Sequence, residues 1–116
     1  MELSETTQNN VRILKLEGRF DTYTSPPIRE WLEAAIAQST TPQLVVNLSG
    51  VNFVDSTAMA TLVQGMKRCR ETKGDLRLCQ LQQPVRMIFE LTRLDRAFEI
   101  FNSESEAVQA FVAPRP

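Results

Sequence analysis

The chain has 116 residues, 42% hydrophobic and 23% charged, the length and mix of one globular domain over residues 1–116 and too short for two. Its 13 basic and 14 acidic side chains leave a net charge of −1, with neither sign gathered into a run, which argues against nucleic acid or an anionic membrane as partner. It contains no histidine, so a Ser-His pair, an imidazole base and a His-ligated metal are excluded, and most enzyme mechanisms with them.

Cys69 and Cys79 lack metal-ligand spacing and sit inside apolar patterns, as buried free thiols do, rather than in a zinc site or a disulfide. No stretch approaches the roughly 18 apolar residues of a spanning helix. The start Met1-Glu2-Leu3-Ser4-Glu5 is unlike a signal peptide. A reducing, cytoplasmic setting is expected, with no metal and no cofactor.

In chain order, Val11 to Glu17 alternates apolar and polar side chains, the period of a half-buried strand, and stops at Gly18. A weaker strand from Glu2 to Thr6 pairs with it across Gln8-Asn9-Asn10. Ser25 before Pro26 fits an N-cap with proline at the first helical position, and Ile28, Trp31, Leu32, Ala35 and Ile36 recur at helical spacing to about Gln38. After Pro42, the run Leu44-Val45-Val46-Asn47-Leu48 is expected to be a central strand buried on both faces.

Ser49-Gly50 reads as a turn. Val51 and Phe53 then lead into Asp55-Ser56-Thr57, and Met59, Leu62, Val63, Met66 and Cys69 form a second helical stripe that ends at Lys73-Gly74-Asp75. Leu76, Leu78 and Leu81 suggest a strand, Pro84 opens a helix carrying Val85, Ile88 and Phe89, and Phe98 to Phe101 is a short strand. Ser103 with Glu106 matches a capping box before a last helix, and the tail 113–116 is expected to fray. Strands alternating with helices give the α/β class: a mixed, mostly parallel sheet of about five strands with four α-helices.

In an open α/β sheet, function gathers in loops beyond the carboxyl ends of the strands, which makes Asp55-Ser56-Thr57 the first candidate. Two readings compete. In one, Asp55 or Ser56 simply caps the helix by accepting a backbone N–H. In the other, Ser56 is a phosphorylation acceptor at an exposed helix start, where a phosphoryl group adds about −1.5 to −2 charge and repels an acidic or closely packed partner.

The segments Leu16-Glu17-Gly18-Arg19-Phe20-Asp21 and Val46 through Thr57 carry a family resemblance. The first is similar to the Gly-x-x-Asp turn, and the second to the Asp-Ser-Ser/Thr-Gly signature, of STAS domains of the bacterial anti-sigma-factor antagonist type. The resemblance runs from Val11 to Phe111 and implies a non-enzymatic module that, when dephosphorylated, binds an anti-sigma factor with serine-kinase activity and so frees a sigma factor. It places phosphorylation on Ser56, with Thr57 the secondary candidate, and implies a PP2C-type phosphatase that restores the binding form. Gly18, Asp21, Thr22, Asp55, Ser56, Thr57, Ala58 and Met59 become the expected partner surface. Ala58 stands where the family has glycine and Met59 where it has leucine, so the added methyl group is a place where kinase contact or partner choice can depart from the family norm.

Asp21 and Thr22 also fit an ordinary turn, and Trp31 on an apolar stripe reads as core. Lys67, Arg68 and Arg70 read as a solvated helix face. A rival of a different class is a domain that binds a small ligand, a nucleotide or a lipid, at the same strand ends, although no glycine-rich phosphate loop is present.

Overall fold

The computed structural model describes residues 1–112, so the tail 113–116 lies outside the described residues. Its strands are β1 (Glu2–Gln8), β2 (Val11–Glu17), β3 (Gln43–Gly50), β4 (Asp75–Cys79) and β5 (Ile100–Phe101). Its helices are α1 (Ser25–Ala37), α2 (Ser56–Glu71), α3 (Gln83–Leu91) and α4 (Glu104–Val112), with a 3₁₀ turn at Leu94–Arg96. The strands form one sheet in the order β1-β2-β3-β4-β5; β1 and β2 are antiparallel and every other pair is parallel. This is the mixed, mostly parallel sheet with four helices that the alternation of patterns predicts.

The two faces of β3 explain its nearly continuous apolar run, interrupted only by Asn47, whose buried Nδ2 donates to Gln80 at 2.8 Å and Glu104 at 2.6 Å. Leu44, Val46 and Leu48 join Leu14, Leu16, Leu76 and Leu78 in a core shared with Ile28 and Leu32 of α1, Leu62 and Met66 of α2 and Phe89 of α3. Val45 points the other way, with Val11, Ile13 and Cys79, and meets Ala107 and Val108 of α4. Helices α1 to α3 therefore cover one face and α4 the other, and a strand between two apolar layers has no polar side to alternate with. Both cysteines are free and buried, and burial pushes each thiol up to about 12, so both are held protonated at neutral pH.

Several boundaries differ from the sequence reading, each for a local reason. Strand β1 runs two residues past Thr6 because Gln8 pairs with Val11, leaving only Asn9 and Asn10 (φ 51° and 65°) to make the hairpin turn. Two left-handed residues match the strand twist, and asparagine tolerates them well. Ser25 does not cap α1. Thr24 occupies that position without a side-chain cap bond, while Ser25 is buried and its hydroxyl donates to the Asp21 carbonyl at 2.6 Å.

Ser49-Gly50 continues β3 rather than turning. At the other end of the chain Phe98 leaves the expected strand for the core, where its ring meets Phe89 edge-on at 5.9 Å, and only Ile100–Phe101 pair with β4. Leu81 lies beyond the end of β4, which stops before the left-handed Gln80. Half of the Ser103 capping box forms: its Oγ accepts from Glu106 N at 3.1 Å, while the Glu106 carboxylate accepts from the Ser103 hydroxyl at 3.2 Å rather than from its backbone N–H. Trp31 is only half-buried: its ring packs at the core margin, and its indole N–H donates to Glu5 at 2.9 Å.

Gly50 brings β2 and β3 together just before the loops of interest. A Cβ there would lie 2.6 Å from Glu17 Cγ and 2.8 Å from the Leu16 carbonyl oxygen. Overpacking against a backbone oxygen cannot be relieved by a rotamer change, so Gly50→Ala is expected to lower the unfolding free energy by roughly 1–3 kcal/mol. Chemical denaturation measures this, and an unchanged midpoint would contradict the close approach.

Candidate functional site

Two loops leave the carboxyl ends of β2 and β3 and run side by side. Gly18 N donates to the Gly50 carbonyl at 2.9 Å, Phe20 N to the Phe53 carbonyl at 3.1 Å, and Asp55 N to the Phe20 carbonyl at 3.3 Å. Phe20 and Val54 form a parallel bridge, and both side chains are buried. Gly18, at φ +119°, sits in a backbone region that other residues rarely adopt, so it shapes the first loop through its backbone. The pairing of the sheet thus extends as far as the first turn of α2, and the start of that helix is held against the β2–α1 loop.

Asp55 is the N-cap of α2. Its backbone is extended, and its Oδ1 accepts from Ala58 N at 2.9 Å, taking one of the N–H groups that a helix start leaves without a partner. Its other oxygen, Oδ2, accepts from Thr22 N at 2.9 Å and from the Thr22 hydroxyl at 3.1 Å. The Thr22 and Thr57 hydroxyls are 3.0 Å apart and share a further hydrogen bond. These bonds to the ionised form, the one from Ala58 first and those from Thr22 after it, outweigh desolvation and hold the Asp55 carboxyl below the ordinary aspartate value.

With Asp55 in the capping role, Ser56 is free of it. Ser56 is the first residue of α2, exposed, and among the described residues its hydroxyl makes no hydrogen bond. The two competing readings of this segment therefore fall on different residues: Asp55 caps, and Ser56 is the unengaged hydroxyl. Thr57 is half-buried and its Oγ1 is engaged with Thr22. Met59 is half-buried at the edge of the core.

Ala58 is turned inward, and Asp21 takes the ordinary-turn role. Ala58 has no exposed surface and belongs to the core, so its methyl group faces inward. Asp21 folds back on its own turn, where Oδ1 accepts from Tyr23 N at 3.0 Å and Thr24 N at 3.1 Å and Oδ2 lies 3.5 Å from Arg19 Nε. Thr22, not Asp21, is the residue of this loop that reaches Asp55.

Sequence comparison accounts for this architecture. The profile of the STAS domain matches residues 3–107. The chain belongs to the STAS family. An anti-sigma-B factor antagonist of Listeria monocytogenes is 30% identical, with 91% of this chain and 91% of that protein covered. Among solved structures, an anti-sigma-factor antagonist (STAS) domain protein of Planctomyces limnophilus superposes with a TM-score of 0.88 at 22% identity, covering 96% of this chain and 98% of that one. The phosphorylated form of the Bacillus cell fate determinant SpoIIAA superposes with a TM-score of 0.75 at 19% identity, covering 95% and 99%. At such identities the structures establish the STAS fold alone.

Two features of this STAS surface escape sequence reasoning. Tyr23 is 90% exposed beside Thr22, although a lone aromatic between two threonines gives no periodic signal of its direction. Arg19 lays its guanidinium 4.0 Å from the centre of the Phe53 ring, joining the two loops at their outer side. Residues 19 and 53 belong to no shared pattern, and only the parallel course of the loops brings them together.

Because the Asp55 carboxyl titrates below its ordinary value of 3.8, its contribution to stability is complete above that pH and is lost as pH falls through the lower folded-state value. In an NMR titration the amides of Ala58 and Thr22 should shift together, with a common midpoint below 3.8. A midpoint at or above that value would contradict the cap geometry.

Proposed function

We propose that this STAS protein is an anti-sigma-factor antagonist that works by partner switching. In its unmodified form it binds an anti-sigma factor with serine-kinase activity and so frees a sigma factor, and phosphorylation of Ser56 by that kinase ends the binding. A PP2C-type phosphatase restores the binding form. The protein acts as a regulatory binding module rather than as an enzyme, in the cytoplasm. The observation that carries the reading is the exposed, unengaged Ser56 hydroxyl on the first residue of α2, next to an aspartate that has already taken the cap. Relatives named as anti-sigma factor antagonists support it.

The geometry favours a change of surface over a change of fold. A phosphoryl group on Ser56 meets the positive end of α2, which tolerates the charge, yet it stands beside the ionised Asp55 and adds about −1.5 to −2 to a small area. A partner packed there, or one presenting an acidic group, loses its fit. The small-ligand alternative gains no support from the groove between α1 and α2. That groove is about 30 Å³, lies between Leu32, Ile36 and Gly65, and has room for a water molecule rather than a nucleotide or a lipid.

Incubation with ATP and the anti-sigma-factor kinase of the same cell is expected to place one phosphoryl group on Ser56, read by mass spectrometry, and to place none on a Ser56→Ala variant. Unchanged labelling of that variant would move the site to Thr57 or elsewhere. Ser56→Asp is expected to weaken binding of the anti-sigma factor by about tenfold or more. Equal affinity in calorimetry would count against a charge mechanism.

A further inference from the structure

A large apolar side chain in full contact with water calls for a reason when its backbone is held rigidly. Tyr23 is 90% exposed, and among the described residues its hydroxyl has no hydrogen-bond partner. The backbone beneath it is fixed on every side. Its N–H donates to Asp21 Oδ1 at 3.0 Å, the next residue's hydroxyl donates to the Arg19 carbonyl at 2.8 Å, and the preceding N–H donates to Asp55 Oδ2 at 2.9 Å. Among the described residues the other strongly exposed apolar side chains, Met87, Leu91 and Val112, stand on α3 and α4.

The position of Tyr23 is tied to the phosphoacceptor. Its neighbour Thr22 touches Asp55 and Thr57, the residues on either side of Ser56. We propose that Tyr23 is the anchor on which the kinase partner docks, so that this aromatic and Ser56 are read in one interface, an inference that rests on the partner-switching function above. Three physical points support it. A tyrosine offers large amphipathic contact area while ordering only two side-chain torsions. A pre-formed loop removes the backbone part of the ordering cost of association. Residues of this type carry a disproportionate share of binding energy when a partner desolvates them.

The partner chemistry follows from the side chain. The kinase domain must present an apolar slot that takes the ring. On the same surface Thr22 bonds Asp55 and Thr57, the neighbours of Ser56, and Arg19 covers the Phe53 ring. Docking through Tyr23 would act on recognition and not on transfer of the phosphoryl group, which divides its effect in a measurable way.

Steady-state phosphorylation of wild type, Tyr23→Ala, Tyr23→Phe and Leu91→Ala by the kinase that labels Ser56 tests this, together with calorimetric affinity for the same kinase without ATP. Tyr23→Ala is expected to raise both KM and Kd by about thirtyfold or more, the range of an interface hot spot, with kcat within about twofold and an unchanged melting temperature. Tyr23→Phe should keep most of the affinity, and Leu91→Ala all of it. Wild-type KM and Kd in Tyr23→Ala, with Ser56 still labelled, would overturn the anchor and leave partner switching intact. An equal loss in Leu91→Ala would also overturn it. Absence of Ser56 labelling in the wild type would overturn the function and the anchor together.

Discussion

The Asp55 carboxylate is the contact on which the candidate surface depends. One oxygen closes the first turn of α2 through Ala58 N, and the other accepts two hydrogen bonds from Thr22 on a different loop. A single ionised group thus sets the helix start and the position of the β2–α1 loop at the same time. Hydrogen bonds to charged acceptors are stronger than neutral ones, and sharing them between two loops makes the geometry cooperative. Because the cap role is filled by the aspartate, the neighbouring serine hydroxyl is left for another use.

The sheet supplies the platform for that contact. Strand β3 is central, buried on both faces, and delivers Asp55 and Ser56 at its carboxyl end. Strand β2 lies parallel to it and delivers Gly18 through Thr24 at the same edge. Parallel neighbours place their following loops on one side of the sheet, which is why such edges gather binding sites in open α/β folds. The rigid core beneath, from Leu48 to Leu62 and Phe20, means that a charge added at Ser56 can change the surface while the fold stays as it is.

Most of the fold is legible in the residues. The alternation from Val11 to Glu17, the apolar run of β3 and the helical spacing of Leu62, Met66 and Cys69 each report burial on a face, and burial follows directly from side-chain polarity and period. The errors lie at the ends of elements. Asn9 and Asn10 turn the chain in two residues, Ser25 gives its hydroxyl to a carbonyl instead of capping, and Phe98 turns into the core. At an element's end a few local bonds compete at similar energies, and tertiary contacts decide among them.

Period, polarity and composition are properties of the chain alone, and they carry the class of the fold, the place of Asp55-Ser56-Thr57 at the start of a helix, and the absence of histidine chemistry. That Thr22 and not Asp21 meets Asp55, that the methyl group of Ala58 faces the core, and that Tyr23 stands in solvent emerge from the folded arrangement. Thr22 and Asp55 are 33 positions apart. Which side chains meet across that distance depends on how the parallel strands set two loops against each other, and no local pattern records it.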